Sequence, residues 1–559
     1  MKKISILLLA ASAILFTLNS CTEEDYTDRY LNPEKVTTTS VDKLFTGVLI
    51  KAEDFLKIGY GRFMLHDQGV GKLAQAWGVR LDDELYNDGL YMYTSWERYI
   101  NTATQYKVLK KEYEAVGDES LKAYELCGRV VMYHTMLQAL DEFGKLPYSE
   151  VGLYLATGEM VYAKLDETKD LYQLILDDLG AVNTELQGLP DGVVVAANTD
   201  WLNDGDMGKW RKYANSLRLR AAIRLSTANP GNDKAGAAET VIKEILGNPG
   251  QHPVVTGADD QILVTPKGTG NGWWSTITGY DNYAQWHSRN TASKARIDRL
   301  DLNGDGSYSP ESDDPRLPLL YDPVQGGPKK GQYVGINTHD KAADIATNVT
   351  GVGGVKQYSF VNERSFRDNR KINSYVITAA EIAFYKAEAI TRFGVSGNAK
   401  DEFVNGILES VKMYAKINAE SDAAGEAATR SPVVDMSYWT DDKIKAFAGQ
   451  LWENASDKLK LIYEQLWLHC AIFNSTESWN TLRRTGYPDD LYFPFTSAGN
   501  CRVLPQRFIV PTSESQRNDN MPKEDNFGAY QAGKSWWEVI FWAKDLTNPS
   551  QYKGTVDTK

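Results

Sequence analysis

Cysteine is scarce in this chain, with four residues among 559. With Cys21 set aside as a site of modification, Cys127, Cys470 and Cys501 remain, too few for a disulfide scaffold. Cys127 and Cys470 sit in helical apolar patterns, so buried thiols are expected there. Histidine is nearly as rare, with six residues, and none makes an H-E-x-x-H or a close metal-binding pair. The sequence holds no G-x-S-x-G elbow. The run Gly268-Thr269-Gly270-Asn271-Gly272 does not precede a helix, as a phosphate loop must. Positive charge is in deficit too: 61 Lys and Arg against 74 Asp and Glu, a net −13. That balance argues against nucleic acid as a partner and against attraction to anionic lipid. Beyond the first twenty residues there is no long apolar run, so nothing further reads as a membrane span.

The N-terminus is the most legible segment. Lys2 and Lys3 precede an almost unbroken apolar run, Ile4 to Leu18, and Asn19-Ser20 lead into Cys21. A basic start, an apolar stretch too short to cross a bilayer and small residues before the cut describe a cleaved export signal. The Leu18-Asn19-Ser20-Cys21 junction resembles a bacterial lipobox, with Asn19 less usual there. The resemblance implies lipidation at Cys21; an ordinary secretory signal is the alternative. Thr22-Glu23-Glu24-Asp25 is similar to the acidic surface-export signal of Bacteroidetes lipoproteins. The expected organisation is a signal peptide at 1–20, a lipidated tether at 21–40 and one α-helical domain at 41–559.

Helical periodicity dominates the rest of the chain. In Lys209 to Ser226, Trp210, Tyr213, Ala214, Leu217, Ala221 and Leu225 form one stripe, while Leu219 and Ile223 fall opposite. A helix apolar on two sides is expected between helical layers. Leu171, Ile175 and Leu179 form another row, with Asp166 as the expected N-cap. Further helices are expected at Tyr124 to Leu140, Tyr375 to Arg392, Asp401 to Ala419 and Lys458 to Phe473. Ala380 and Phe384 match the A-x₃-F fragment of tetratricopeptide repeats, although no regular repeat is visible. Between about 249 and 371, Gly, Asn, Asp and Pro accumulate and periodicity fades. Loops of that extent are functional or disordered, and the aromatics within them favour ordered, functional ones.

Several segments, in order along the chain, resemble the SusD/RagB nutrient-binding lipoproteins of Bacteroidetes outer membranes. Asn32-Pro33-Glu34-Lys35-Val36-Thr37 with Leu44-Phe45-Thr46-Gly47 looks like their mature start. Asp141-Glu142-Phe143-Gly144-Lys145-Leu146-Pro147-Tyr148-Ser149-Glu150 follows their D-x-(Y/F)-G-x-x-P-Y-S-E hallmark. The stretches Trp210 to Arg220, Ile377 to Ala389 and Trp479 to Pro488 are similarly characteristic, as is the spacing of Arg507, Pro511, Glu514 and Asn518. The resemblance implies an all-α-dominated fold of degenerate tetratricopeptide-like hairpins with long irregular insertions. It implies a non-enzymatic role without a cofactor: capture of oligosaccharides, or peptides in some members, as the lid of a SusC-like TonB-dependent outer-membrane barrel. On the residues alone, a surface glycoside hydrolase lipoprotein stays open, because a glycosidase needs only two carboxylates; so does an adhesion protein. Within the motifs, Gly144 and Pro147 read as a helix-ending turn. Arg218, Arg220, Arg224, Arg483 and Arg484 read as partners of buried carboxylates rather than ligand contacts.

A sugar ring lays its C–H face on an aromatic plane and takes hydrogen bonds at its rim. Two stretches offer rings among polar side chains. The first holds Trp273, Trp274, Tyr280, Asn282, Tyr283 and Trp286. Adjacent Trp side chains diverge, so at least one of Trp273 and Trp274 is expected to be exposed. The second holds Asp83, Tyr86, Tyr91 and Tyr93. Trp96 and Tyr99 read as core, and the pair Trp536-Trp537 as a lining for the barrel contact. Asp301-Leu302-Asn303-Gly304-Asp305-Gly306-Ser307 matches the first half of an EF-hand-type calcium loop. Ser312 stands at the twelfth position, and a one-residue bulge would let Asp313 close the site instead. The expected structural Ca²⁺ ligands are Asp301, Asn303, Asp305, Ser307 and Asp313; an Asx-rich turn with solvated carboxylates is the alternative.

Overall fold

Side-chain capping sets where several of the helices begin. The structure, a computed structural model, describes residues 39–56, 69–76, 78, 90–227, 234–265, 291–340, 342–350, 357–369, 371–470, 472–491, 504–524 and 533–547. Its principal helices in the N-terminal half are α1 (Val41–Lys51), α2 (Leu90–Val116), α3 (Lys122–Phe143), α4 (Thr168–Gln187), α5 (Met207–Leu225) and α6 (Lys234–Gly247). The C-terminal half adds α7 (Ala379–Phe393), α8 (Ala399–Ala419), α9 (Asp441–Asn454), α10 (Lys458–Cys470) and α11 (Ser475–Thr485). Asp206 accepts from the Lys209 amide at 3.0 Å to open α5. Thr378 and Asn398 do the same for α7 and α8, and Asn474 for α11. Each bond satisfies an amide that the first helical turn leaves unpaired. α3, α7 and α11 each end on a left-handed glycine, Gly144, Gly394 and Gly486, the conformation glycine adopts without a Cβ penalty.

Two expected boundaries shift for identifiable reasons. The helix expected from Tyr375 starts at Ala379, because Ser374–Ile377 is a strand and Thr378 caps the helix behind it. Asp166 does not cap α4; Glu167 occupies that position, and the Asp166 carboxylate accepts from the Tyr148 and Ser149 amides at 2.6 and 3.1 Å. It thereby closes the turn that Gly144 begins.

Consecutive helices pack side by side: α1 on α2 and α3, α2 on α3, α3 on α4, α4 on α5, α5 on α6, α7 on α8, α8 on α9, and α10 on α11. α5 also meets α7, and α11 returns to α3, closing the stack of tetratricopeptide-like hairpins. At the α7–α8 contact a Cβ on Gly406 would lie 2.6 Å from the Phe384 ring, so glycine there sets how closely the helices approach. α5 is buried around its whole circumference from Tyr213 to Leu225, as its two apolar faces imply. The region 249–371 leaves and re-enters this scaffold through a ribbon. β1 (Ile262–Val264) pairs antiparallel with β4 (Ser374–Ile377), directly before α7. Within it, β2 (Tyr321–Asp322) pairs with β3 (Phe360–Val361).

Burying α5 buries its arginines, and these find carboxylates. Arg224 forms ion pairs with Asp141 of α3 and, at 2.5 Å, Glu477 of α11. Arg220 holds Glu381 of α7 at 2.7 and 2.9 Å and also donates to the Val376 carbonyl. Arg484 clamps Glu388 through two 2.7 Å bonds, and Arg392 adds a third. Arg218 pairs with Glu244, nearer the surface. Arg483 departs from the expectation. It lies 3.4 Å over the Trp479 ring and donates to the Asp141 and Gln506 carbonyls and to Asn480. Burial lowers its pKa to about 9. Main-chain dipoles replace a counter-ion there.

Burial alone would raise Glu388, but Arg484 and Arg392 outweigh it and hold the carboxyl below its ordinary value. A depressed carboxylate contributes stability above the unfolded value, about 4.3, and loses it as pH falls through the folded one. Glu388→Gln should therefore cost about 3–5 kcal/mol at pH 7 by stranding Arg484, and the gap to wild type should narrow in acid. Urea unfolding at neutral and acidic pH checks this; an equal gap at both would mean Glu388 is not ionised.

Candidate functional site

The two aromatic stretches share one footing. Residues 79–89 and 266–290, which carry Asp83, Tyr86, Trp273, Trp274, Tyr280, Asn282, Tyr283 and Trp286, lie outside the described residues. Of the second stretch, Tyr91 and Tyr93 fall in the first turn of α2, with Tyr93 half-buried. One described flank of each stretch meets the other. The Gly78 amide, just before one, donates to the Thr291 carbonyl, just after the other, at 2.7 Å. A Cβ on Gly78 would stand 2.8 Å from the Ala292 carbonyl oxygen, so this approach requires glycine. Beneath it, the buried Arg296 guanidinium lies 3.7 Å over the Trp467 ring. It donates to the carbonyls of Gln75 at 3.0 Å and Trp467 at 3.1 Å. Trp467 in turn donates to the Ala74 carbonyl at 2.9 Å. Burial pulls the Arg296 pKa down to about 10. Sequence reasoning assigns this residue no role, since nothing local links it to Trp467 or to residues 74–78.

The loop 301–313 is described throughout. Asp301 accepts from the Gly304 and Gly306 amides at 3.1 and 2.8 Å. Asp313, fully buried, accepts from the Asn303 and Ser309 amides at 3.2 and 2.8 Å. The loop thus turns Asp301 and Asp313 inward, while Glu311 is exposed and takes the Ser309 hydroxyl. Asn303 and Asp305 accept from the amides of Asp305 and Ser307 in successive Asx turns, and Asp305 faces solvent. Burial first, and the Asp313 charge with it, push the Asp301 pKa up against two amide hydrogen bonds that lower it. Among the described residues, no three His, Cys, Asp or Glu side chains group closely enough to hold a metal ion. Tyr308 ties the loop to the helical scaffold by accepting from the Trp439 indole at 2.7 Å.

Trp536 and Trp537 do not line a contact surface. They are 1% and 5% exposed, in a 3₁₀ turn packed into the main core. Both neighbours are buried because this turn is enclosed on more than one side, a geometry that the divergence of adjacent side chains does not anticipate. Glu538 beside them belongs to an ion cluster with Arg507 and Lys145. Trp96 and Tyr99 are core, as expected, and Cys127 and Cys470 are buried free thiols.

Clefts on the described surface include two of note. One of about 350 Å³ is lined by Lys212, Ile245, His252, Lys386, Ile390 and Val395, among others, and has no aromatic ring in its wall apart from the His252 imidazole. The other, about 310 Å³, offers one, Phe541, with Lys169 5.9 Å above it. Neither presents the pair of open rings that a saccharide platform needs. The buried acids Asp141, Glu381, Glu388 and Glu477 are each paired with arginine, which gives them a structural duty.

Residues 36–511 match a SusD-like family described as starch-binding and associating with the outer membrane. Among similar solved structures, one is described as a chitin-binding protein. It is 23% identical with a TM-score of 0.61, over 86% of this chain and 94% of that one. A SusD homologue from Bacteroides fragilis is 20% identical with a TM-score of 0.64, over 86% and 94%. Another from Parabacteroides distasonis is 18% identical with a TM-score of 0.63, over 90% and 97%. No curated protein matches the chain.

Trp536→Ala should behave as a core deletion, costing about 3–5 kcal/mol in thermal or urea unfolding. Unchanged stability would place that ring at the surface after all.

Proposed function

Since the chain belongs to the SusD/RagB family of starch-binding proteins that associate with the outer membrane, we propose that it is a surface-exposed lipoprotein, anchored through Cys21, that binds oligosaccharides without altering them. It delivers them to a SusC-like TonB-dependent barrel over which it acts as a lid. The observation that carries this reading is the extent of the family match, which spans both aromatic stretches and the helical scaffold. The Gly78–Thr291 hydrogen bond supports assigning the two stretches to one site, because their flanks share a footing. Stacking on Trp273 and Trp274, with Tyr280, Asn282, Tyr283, Trp286, Asp83, Tyr86, Tyr91 and Tyr93 around them, is the proposed mode of capture. No bond-breaking step is assigned. The arginine-paired carboxylates of the scaffold are not free to exchange protons with a ligand.

The 301–313 loop is read as a structural calcium loop that stiffens the region 249–371. Asp301 and Asp313 bring two carboxylates to one turn, and a divalent cation would relieve their repulsion. Asn303, Asp305 and Ser307 would complete the donor set by turning in from their present Asx turns. Chelation with EDTA should lower the melting temperature; an unchanged value together with no metal by elemental analysis would remove this assignment.

Affinity electrophoresis should show retardation in gels containing a bound glycan, with no reducing ends released. The panel includes starch and chitin oligosaccharides, the ligands named for the family and for one structural relative. Trp273→Ala or Trp274→Ala should weaken binding on the order of tenfold, ~1.4 kcal/mol, while melting stays unchanged. Release of sugar by the wild-type protein would replace the binder with a glycosidase. Full affinity in both variants would move the platform elsewhere.

A further inference from the structure

The turn that opens the region 249–371 is fastened by a histidine whose place suits only one protonation state. His252 follows α6, and its amide donates to the Asn248 carbonyl at 2.9 Å to close the turn. Its half-buried imidazole bridges two helices. Nδ1 lies 3.3 Å from Nδ2 of Asn183 on α4, and Nε2 lies 3.3 Å from the Glu244 carboxylate on α6. The buried Asn183 amide decides which ring nitrogen carries the proton, because it is fixed at both ends. Its Oδ1 accepts from Asn215 at 2.9 Å and from Arg211 at 3.4 Å, both on α5. Its Nδ2 donates to the Gln251 carbonyl at 3.1 Å. Turning the amide over would set oxygen against oxygen at Gln251 and donor against donors at α5. Nδ2 therefore presents its second hydrogen to His252, Nδ1 is the acceptor, and the ring proton sits on Nε2, facing Glu244.

An imidazolium carries a hydrogen on both nitrogens. Here the added one, on Nδ1, would face the Asn183 N–H across 3.3 Å. The charges around the ring do not compensate. Glu244 attracts an imidazolium, but Arg218 of α5 already holds that carboxylate at 3.0 and 3.2 Å. Burial is the largest influence, and with repulsion from Arg218 and Arg211 it outweighs Glu244, holding His252 below the ordinary histidine value. His252 also lines the cleft of about 350 Å³, whose other charged groups are Lys212, Lys386 and Glu402. Lys212 pairs with Asp260, and Lys386 with Glu402 at 3.6 Å.

We propose that His252 is an acid-released latch: neutral, it clasps the start of the region 249–371 to α4 and α6, and protonated, it lets go of Asn183 and loosens the turn. The cleft is the open space beside the ring. A charged His252 turns into it and adds a cation to a wall that already holds Lys212 and Lys386. A histidine held below its ordinary value contributes stability that is present above about pH 6.5 and is lost as pH falls from there through the folded value. The latch is thus closed at neutral pH and opens in mild acid.

Deuterium exchange at the histidine C2 position, followed by mass spectrometry in the chain from residue 22, reads the titration midpoint of His252. Main-chain amide exchange over 248–253 is measured across the same pH range and corrected for its intrinsic pH dependence. The midpoint should lie below that of the same residue in the urea-unfolded chain. Exchange of the turn should rise several-fold as pH falls through that midpoint, while α8 stays unchanged. Asn183→Ala removes the opposing N–H and should move the midpoint up; His252→Gln should make exchange of the turn independent of pH. Equal midpoints in the folded and unfolded chains would overturn the proposal. So would a low midpoint that Asn183→Ala leaves in place, which would make burial the sole cause, or turn exchange that does not follow the midpoint. Should Asn183→Ala fail to fold, the wild-type midpoint and exchange profile decide the matter.

Discussion

Arg224 reaches from α5 to Asp141 on α3 and Glu477 on α11, while Arg220 on the same helix takes Glu381 on α7. These contacts join helices whose residues stand up to 336 positions apart, the separation of Asp141 and Glu477 (477 − 141). Ions this deep are tolerated only when paired and hydrogen-bonded, so each arginine accepts one arrangement of its neighbours and penalises the rest. Tyr172 and Asn480 donate further bonds to Asp141, and Tyr385 to Glu477. The helical layers are consequently held in register by geometry that apolar packing alone would leave looser.

On this stack the region 249–371 is fixed at a few points. The β1–β4 ribbon returns the chain to α7, and the Gly78–Thr291 bond joins the flanks of both aromatic stretches. Arg296 underpins that junction with main-chain carbonyls and an aromatic face instead of a carboxylate. A cation so placed grips backbone, and so constrains where the loops depart irrespective of their own sequence.

Much of the architecture is legible from periodicity and capping. The two-sided apolar pattern of 209–226 places α5 between layers, and the family motifs mark the arginines as scaffold. The departures from expectation share a cause. Asp166 has the spacing of a local cap but satisfies the turn at Tyr148, eighteen residues away. Arg483, expected to meet an acid, meets carbonyls. Trp536 and Trp537 suggest a surface pair, although the turn that carries them is enclosed. In each case at least one deciding partner lies well outside the local window, beyond what spacing can report.

The sequence by itself determined the helices, the burial of the Cys127 and Cys470 thiols and the family, because these depend on local pattern and on residue type. It also singled out the two aromatic stretches and the Asp-rich loop as chemistry-bearing. Only the tertiary structure decided that Gly78 meets Thr291 and that Asp313 turns inward while Glu311 stays in solvent. Those outcomes depend on which distant backbone groups come within hydrogen-bond reach, and chain closure over long separations sets that.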